Sequence, residues 1–487
     1  MKLFTRTLAL VAVVMIPLLF CSCAEKATIK EMKELEGSWI AKLSDHLGDQ
    51  AFVFLLKVKD GRLTGEVHSY MNGIKLEGMK FGGVEYYPPE ITIVANQGAS
   101  VKYQADVDVT TGIMNGKLVY SDGAPDKEMI LHRYDEAMLK EDFPGISELL
   151  GKKDSGYSKP VQYDDGIETA AMNPLQINSS MINEMVRKIY EDDFGVVNAI
   201  LIMLDNKLVF EKYFGGYAVN DLHGVRSVTK SIGSLCVGIA IDQGKIENVD
   251  EKVINFFPEY SSECPAGWDK ITLKHLLTMS MGLDWGNGLD DEILFTSNNF
   301  LKDVLMRPIK YAPGEKWDYI NPNVTLIAGI IKHATGMHVD EYAEKYLFNP
   351  LGIKKYDWDL SKQNGYPRVD GTLALRPRDM LKIGMMMLNS GKYKGEQVIS
   401  KEWVDESTKY QIGIDDGFSY GYLWWRAVSQ ADPGTEIAFA NGIGGHHIII
   451  VPKYDLVVVT SGGNYEPSKM KLIMKMVDDF IIRSVAK

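Results

Sequence analysis

Between residues 30 and about 135 apolar and polar positions alternate with a period near two, the pattern of strands with one buried face. Phe52 to Val58 runs through Lys59-Asp60-Gly61-Arg62, a hairpin turn signal, into Leu63 to Val67. Ile91 to Val94, Tyr103 to Val109 and Gly116 to Tyr120 repeat the alternation, separated by glycine, asparagine and aspartate. This predicts a small antiparallel barrel or sandwich, with Trp39 plugging one end of it. From about residue 166 the pattern changes. Val197 to Leu204, Asp205-Asn206 and Lys207 to Tyr213 predict a second hairpin, and an apolar helix follows Ser227. A mainly helical stretch runs to about residue 410. Four more strands then follow, at Gly421 to Arg426, Glu436 to Ala440, His447 to Val451 and Leu456 to Thr460. An amphipathic helix from about Pro467 to Val485 closes the chain. An early hairpin and late strands around a helical block imply one antiparallel sheet built from both ends of an α+β domain, covered by helices on both faces.

The first residues follow neither pattern. Lys2 and Arg6 precede an apolar run from Leu8 to Phe20, too short to span a membrane comfortably. The run ends at Cys21-Ser22-Cys23-Ala24, which resembles a bacterial lipoprotein signal with Cys23 as the lipidated residue. The expected organisation is a signal peptide over 1–22, a β domain over 24–145, a linker over 146–165 and a second domain over 166–487. The protein is then exported and held in the cell envelope by a lipid anchor, in the periplasm or at the cell surface. A formal net charge of −12 argues against a nucleic-acid partner. Four cysteines without ligand-like spacing predict neither a metal site nor a disulfide framework, and no cofactor is expected.

The candidate chemistry lies in the second domain. Ser227-Val228-Thr229-Lys230 places a hydroxyl and an amine on one face of the predicted helix. A lysine beside a serine can help remove its proton, and a serine at a helix N-terminus sees the positive end of the dipole. Two further copies, at Ser468-x-x-Lys471 and Ser484-x-x-Lys487, lie in the closing helix, so spacing alone does not single out Ser227. Two later motifs do. Tyr319-Ile320-Asn321 supplies a phenol to act as general base beside the lysine, and an amide to hold the lysine or the substrate. Asn441-Gly442-Ile443-Gly444-Gly445-His446-His447 supplies glycines at a strand start, where backbone N–H groups can approach a substrate oxygen.

These three motifs, together with Ile271 to Trp285 and Leu375 to Met380, resemble the serine beta-lactamase and penicillin-binding-protein superfamily in its class C-like, esterase-like branch. The likeness covers about residues 165–487. Leu35-Glu36-Gly37-Ser38-Trp39 separately resembles the first strand of lipocalin-type barrels. The first resemblance implies a sandwich of helices about an antiparallel sheet, with an all-helical insertion. It implies Ser227 as nucleophile, Lys230 as keeper of the proton network and Tyr319 as base. Asn321 would position the lysine or a substrate amide, and the N–H groups of Ser227 and His446 would form the oxyanion hole, with Ile443, Gly444 and Gly445 lining it. The substrate would be a small ester, amide or peptide. Ile443 stands where beta-lactamases and peptidases carry lysine or histidine, so esterase and amidase members fit this stretch better unless His446 or His447 supplies the missing polar group. A beta-lactamase or D-amino-acid peptidase is the alternative enzyme, and a surface binding protein that keeps the fold is the alternative outside catalysis. Trp285, Trp317, Trp424 and Trp425 are candidates to line an apolar acyl pocket, with at least two of them expected in the core. Arg378 and Asp379 are expected to form a buried ion pair.

Overall fold

A computed structural model describes residues 26–134 and 157–486, apart from short breaks at 46–47, 72–73, 97–99, 121–125, 175, 216, 287–293, 295, 359–364 and 415–416. Cys23 and the apolar run before it lie outside the described residues.

A short helix, α1 (Ile29–Glu34), leads into eight antiparallel strands: β1 (Gly37–Asp45), β2 (Gly48–Lys59), β3 (Arg62–Met71), β4 (Ile74–Tyr87), β5 (Glu90–Asn96), β6 (Ser100–Asp108), β7 (Ile113–Tyr120) and β8 (Lys127–Tyr134). Each pairs with its successor, and β1 pairs with β8 through Ser38–Tyr134, Trp39–Arg133 and Ile40–His132, closing a barrel. Closure leaves no free sheet edge. The turn between β2 and β3 is the expected one: Asp60 and Gly61 both have positive φ, as a two-residue hairpin turn with right-handed strand twist requires. The alternation signal did not identify β4 or β8. In β4 the register shifts between Phe81 and Gly83 against β5, and a shift of this kind breaks the period of two. Trp39 does plug a barrel end. It is fully buried, its indole N–H donates to the Leu35 carbonyl at 3.0 Å, and Arg133 stacks over its ring while donating to the Glu34 and Glu36 carbonyls.

The second domain is built on the hairpin of β9 (Val197–Leu204) and β10 (Lys207–Tyr213), with α2 (Ser179–Tyr190) before it. Asp205 and Asn206 take positive φ at its turn. The helix α3 (Val228–Asp242) follows Ser227, and the helical block includes α4 (Pro322–Thr335) and α5 (Pro377–Leu388). The late strands are β11 (Ile412–Gly413), β12 (Ser419–Tyr420), β13 (Trp425–Val428), β14 (Glu436–Gly442), β15 (His446–Val451) and β16 (Leu456–Gly462). They join the hairpin in one antiparallel sheet of order β10-β9-β16-β15-β14-β13-β12-β11. Both faces are covered. Along β9, Ala199, Leu201 and Met203 enter the core shared with α3, α4 and α5, whereas Ile200, Ile202 and Leu204 enter a second core with α2 and the helical run 472–485. This is the expected sandwich of helices about an antiparallel sheet. The central strands therefore carry unbroken apolar runs, because alternate residues serve different cores. Helix α3 is apolar on all sides and is buried from Val228 to Ala240.

Contacts of the second domain reach back before residue 166. The Tyr157 hydroxyl accepts from Met172 N at 2.7 Å and lies 3.2 Å from the Val209 carbonyl. Arg378 holds Asp165 at 2.8 Å, Glu211 at 2.6 Å and the Val161 carbonyl at 2.8 Å. The expected Arg378–Asp379 pair does not form. Asp379, fully buried, pairs instead with Arg376 at 2.6 Å and Lys382 at 3.0 Å. Adjacent residues on a helix project about 100° apart, so each meets a different neighbour.

Candidate active site

Ser227 sits at the junction of an extended segment and the first turn of α3. The Val225 N–H donates to the Leu373 carbonyl at 2.9 Å, and Arg226 takes φ of 53°, a left-handed value that costs a residue with a Cβ free energy. That kink turns Ser227 to the N-cap position of α3. Its hydroxyl makes no capping bond there. It lies instead 3.0 Å from Lys230 Nζ, one helical turn on. Lys230 is 2 % exposed, and its Nζ also donates to the Asp370 carbonyl, which lies 3.4 Å from Ser227 Oγ. Sequence pattern carried no sign of Asp370, because a backbone carbonyl leaves no signature in residue type.

Tyr319 stands on the other side of the lysine, with Nζ 5.2 Å from its ring centroid. The tyrosine is fixed by Trp317, Tyr420 and Trp425, whose rings lie 5.8, 6.4 and 5.7 Å away. Ser227 and Tyr319 line one cavity of about 540 Å³. Asn321 is the N-cap residue of α4, its carbonyl accepting from the Thr325 hydroxyl at 3.1 Å, and it is not part of that cavity's wall.

The glycine loop joins β14 to β15. A Cβ on Gly442 would stand 2.2 Å from the Val225 carbonyl, so only glycine lets this strand end approach the chain beside Ser227. Gly444 and Gly445 have φ of 100° and 98°. Ile443 and Gly444 line the cavity; Gly445 and His446 do not. The Gly445 N–H is turned to the Gly442 carbonyl at 3.2 Å. The His446 side chain is buried beneath the loop. Its Nδ1 is 3.0 Å from Ser461 Oγ, which is 2.6 Å from His223 Nδ1, and Tyr217 stacks on His223. His447 reaches the cavity wall, with Nδ1 2.8 Å from Thr460 Oγ1. Burial lowers its pKa to about 4, and burial with His223 and Arg226 nearby holds His446 well below the ordinary range. Both imidazoles are neutral at pH 7, and neither replaces the cation missing at Ile443.

Of the four candidate tryptophans only Trp425 lines the cavity. Trp424 and Trp285 are core residues, at 0 % and 8 % exposure, and Trp317 packs half-buried against the core. The first domain touches this region: Tyr465 packs against the barrel core and also lies under the Arg226 guanidinium, 5.3 Å from it.

The fold and the serine–lysine pair define a hydrolase of the beta-lactamase type. Residues 194–469 match the Beta-lactamase family model, and the chain belongs to that family. It is 24% identical over 289 residues to 6-aminohexanoate-dimer hydrolase of Paenarthrobacter ureafaciens, covering 54% of this chain and 71% of that one. Among solved structures it is similar to a candidate 6-aminohexanoate-dimer hydrolase from Bacillus anthracis, with a TM-score of 0.55 at 19% identity over 68% of this chain and 90% of that one. It is also similar to EstCE1, a hydrolase with promiscuous acyltransferase activity, with a TM-score of 0.52 at 14% identity over 63% and 97% of the two chains.

Proposed function

We propose that this protein is an exported, lipid-anchored serine hydrolase that cleaves an ester or amide through an acyl-enzyme on Ser227. The observation that carries this reading is Lys230 Nζ at 3.0 Å from Ser227 Oγ, at the wall of a cavity large enough for a small-molecule substrate. Ser227 Oγ attacks the carbonyl carbon, and Lys230 Nζ takes the hydroxyl proton. The sequence pattern suggested Tyr319 for that step. The 3.0 Å approach of Lys230 Nζ to Ser227 Oγ favours the lysine, and leaves Tyr319 to pass a proton to the departing alcohol or amine and to receive one from the incoming water. The oxyanion is held by the N–H of Ser227 and an N–H of the glycine loop, where the resemblance points to His446 and where Ile443 and Gly444 line the cavity. The relatives' names support both ester and amide cleavage. A peptidase or beta-lactamase role is less well supported, because Ile443 offers no charge to a substrate carboxylate.

The test is intact-mass labelling of the mature soluble chain with a fluorophosphonate, wild type beside Ser227→Ala. One adduct on the wild type and none on the variant is expected. A folded wild type that takes no label, or a variant that still does, rejects the assignment. Anchoring is tested separately: Cys23→Ser should move the protein from the membrane fraction to the soluble one, and unchanged retention rejects lipidation there.

A further inference from the structure

The cavity beside Ser227 is uneven in character. The serine, Tyr319 and the glycine loop form part of its wall; Phe418, Trp425, Ile437, Phe439 and Met474 give it a large apolar surface beside polar residues that include Asn441, His447, Ser429 and Gln430. Ile437 and Phe439 alternate along β14 and so present the same face. Phe439 stacks on Trp425 at 6.3 Å, and Phe418 meets both edge-on. The apolar character continues to the surface. Of ten exposed large apolar residues among the described ones, three form the lip of this cavity: Val428, Ile443 and Met470, at 55 %, 44 % and 39 % exposure. Exposed apolar residues gathered at one mouth mark a binding site rather than ordinary surface. The charges at the far rim are engaged with one another or with backbone. Lys475 pairs with Asp479, and Asp478 accepts from Ser429 Oγ at 2.5 Å and from the N–H groups of Gln430 and Ala431. Lys471 also has a partner.

We propose that this cavity takes an uncharged aliphatic chain, so that the enzyme acts on lipophilic esters or amides rather than on small or charged ones. The proposal rests on Ser227 being the nucleophile. The chain can belong to the acyl part or to the alkyl part of the substrate, and two ester series separate these. The first is p-nitrophenyl acetate, butyrate, hexanoate and octanoate. The second is the acetates of ethanol, butanol, hexanol and octanol. In one series kcat/KM should rise by up to ~4-fold per methylene buried, and the series that rises names the part bound. Where the acyl series is the one that rises, the p-nitrophenyl ester of 6-aminohexanoate should be slower than that of hexanoate, since its ammonium would lie against apolar walls.

The double variant Val428→Glu, Met470→Glu changes only side chains that are more than a third exposed, so the fold should survive, as a thermal melt would check. It should lower the long-chain to short-chain ratio of kcat/KM at least tenfold in whichever series rises. A flat or falling dependence in both series, with hydrolysis that Ser227→Ala abolishes, overturns the chain pocket and leaves the hydrolase standing. An unchanged ratio in the double variant also overturns it. No hydrolysis of any ester together with no fluorophosphonate adduct overturns the nucleophile, and the pocket with it.

Discussion

In the barrel, Trp39 and Tyr103 are buried with their polar atoms turned to main-chain carbonyls: the indole N–H to Leu35, and the phenol 3.1 Å from Met114 and from Met129. In the hydrolase domain Lys230 is as deeply buried, but its Nζ is shared between the Asp370 carbonyl and a serine hydroxyl that faces a cavity. Burial alone therefore does not separate structural polar groups from reactive ones. A polar atom enclosed by backbone stabilises the fold, whereas one aimed at a group open to substrate is available for chemistry. By that criterion the barrel's packed interior is structural, and it meets the region of Ser227 through Tyr465, which packs on the barrel and on Arg226.

Substitutions in the two regions should differ in kind as well as size. Lys230→Met should lower kcat/KM by ~10²–10⁴ in ester hydrolysis while leaving the melting transitions in place, since under the proposed mechanism it removes the proton acceptor but keeps the volume. Retained activity would mean that another base serves Ser227. Tyr319→Phe keeps the ring over which Lys230 lies and deletes the hydroxyl. A loss toward the lower end of that range is expected, and a full rate would take the proton transfers away from Tyr319.

Next come two losses of stability with different locations. Trp39→Ala should destabilise the barrel by about 3–5 kcal/mol while the hydrolase domain keeps its own unfolding transition. Asp379→Asn leaves Lys382 and Arg376 without their buried carboxylate and should cost the hydrolase domain about 3–5 kcal/mol. Denaturant unfolding followed by calorimetry distinguishes the two. If either variant lowers both transitions equally, the domains unfold as one unit and the contrast between them fails.

The smallest effect is pH-dependent and confined to the hydrolase domain. His447 has a pKa of about 4 in the fold against 6.5 as an ordinary histidine. Between those values the unfolded chain binds a proton that the folded chain refuses, so stability falls as pH falls. The loss is up to about 3 kcal/mol from pH 6.5 to 4 and absent above that window. His447→Gln should flatten this dependence. An unchanged slope would assign it to other groups, with buried His446 the first to test.

Much of this was legible along the chain because it depends on short-range periodicity. The hairpin Val197 to Tyr213 was read with its bounds, and so was the spacing that sets Ser227 over Lys230, since one turn of helix suffices to bring them together. Strand ends were displaced where the backbone departs from its period. Trp425, rather than Gly421, opens β13, and the closing helix begins at Leu472 rather than Pro467.

What the sequence by itself determined, then, is the set of reactive residue types, their order and the local elements that hold them, because propensity, turn chemistry and apolar spacing act over a few residues. Tertiary structure alone decided who meets whom across the sheet. It gave Arg378 to Glu211 and Asp165, turned His446 away from the cavity to Ser461, placed the Asp370 carbonyl at the lysine, and gathered Phe418, Phe439 and Met474 beside Ser227. The pairwise contacts among these join residues from 15 to 213 positions apart. They are set by strand register and by how helices pack on both faces, which no window of sequence contains.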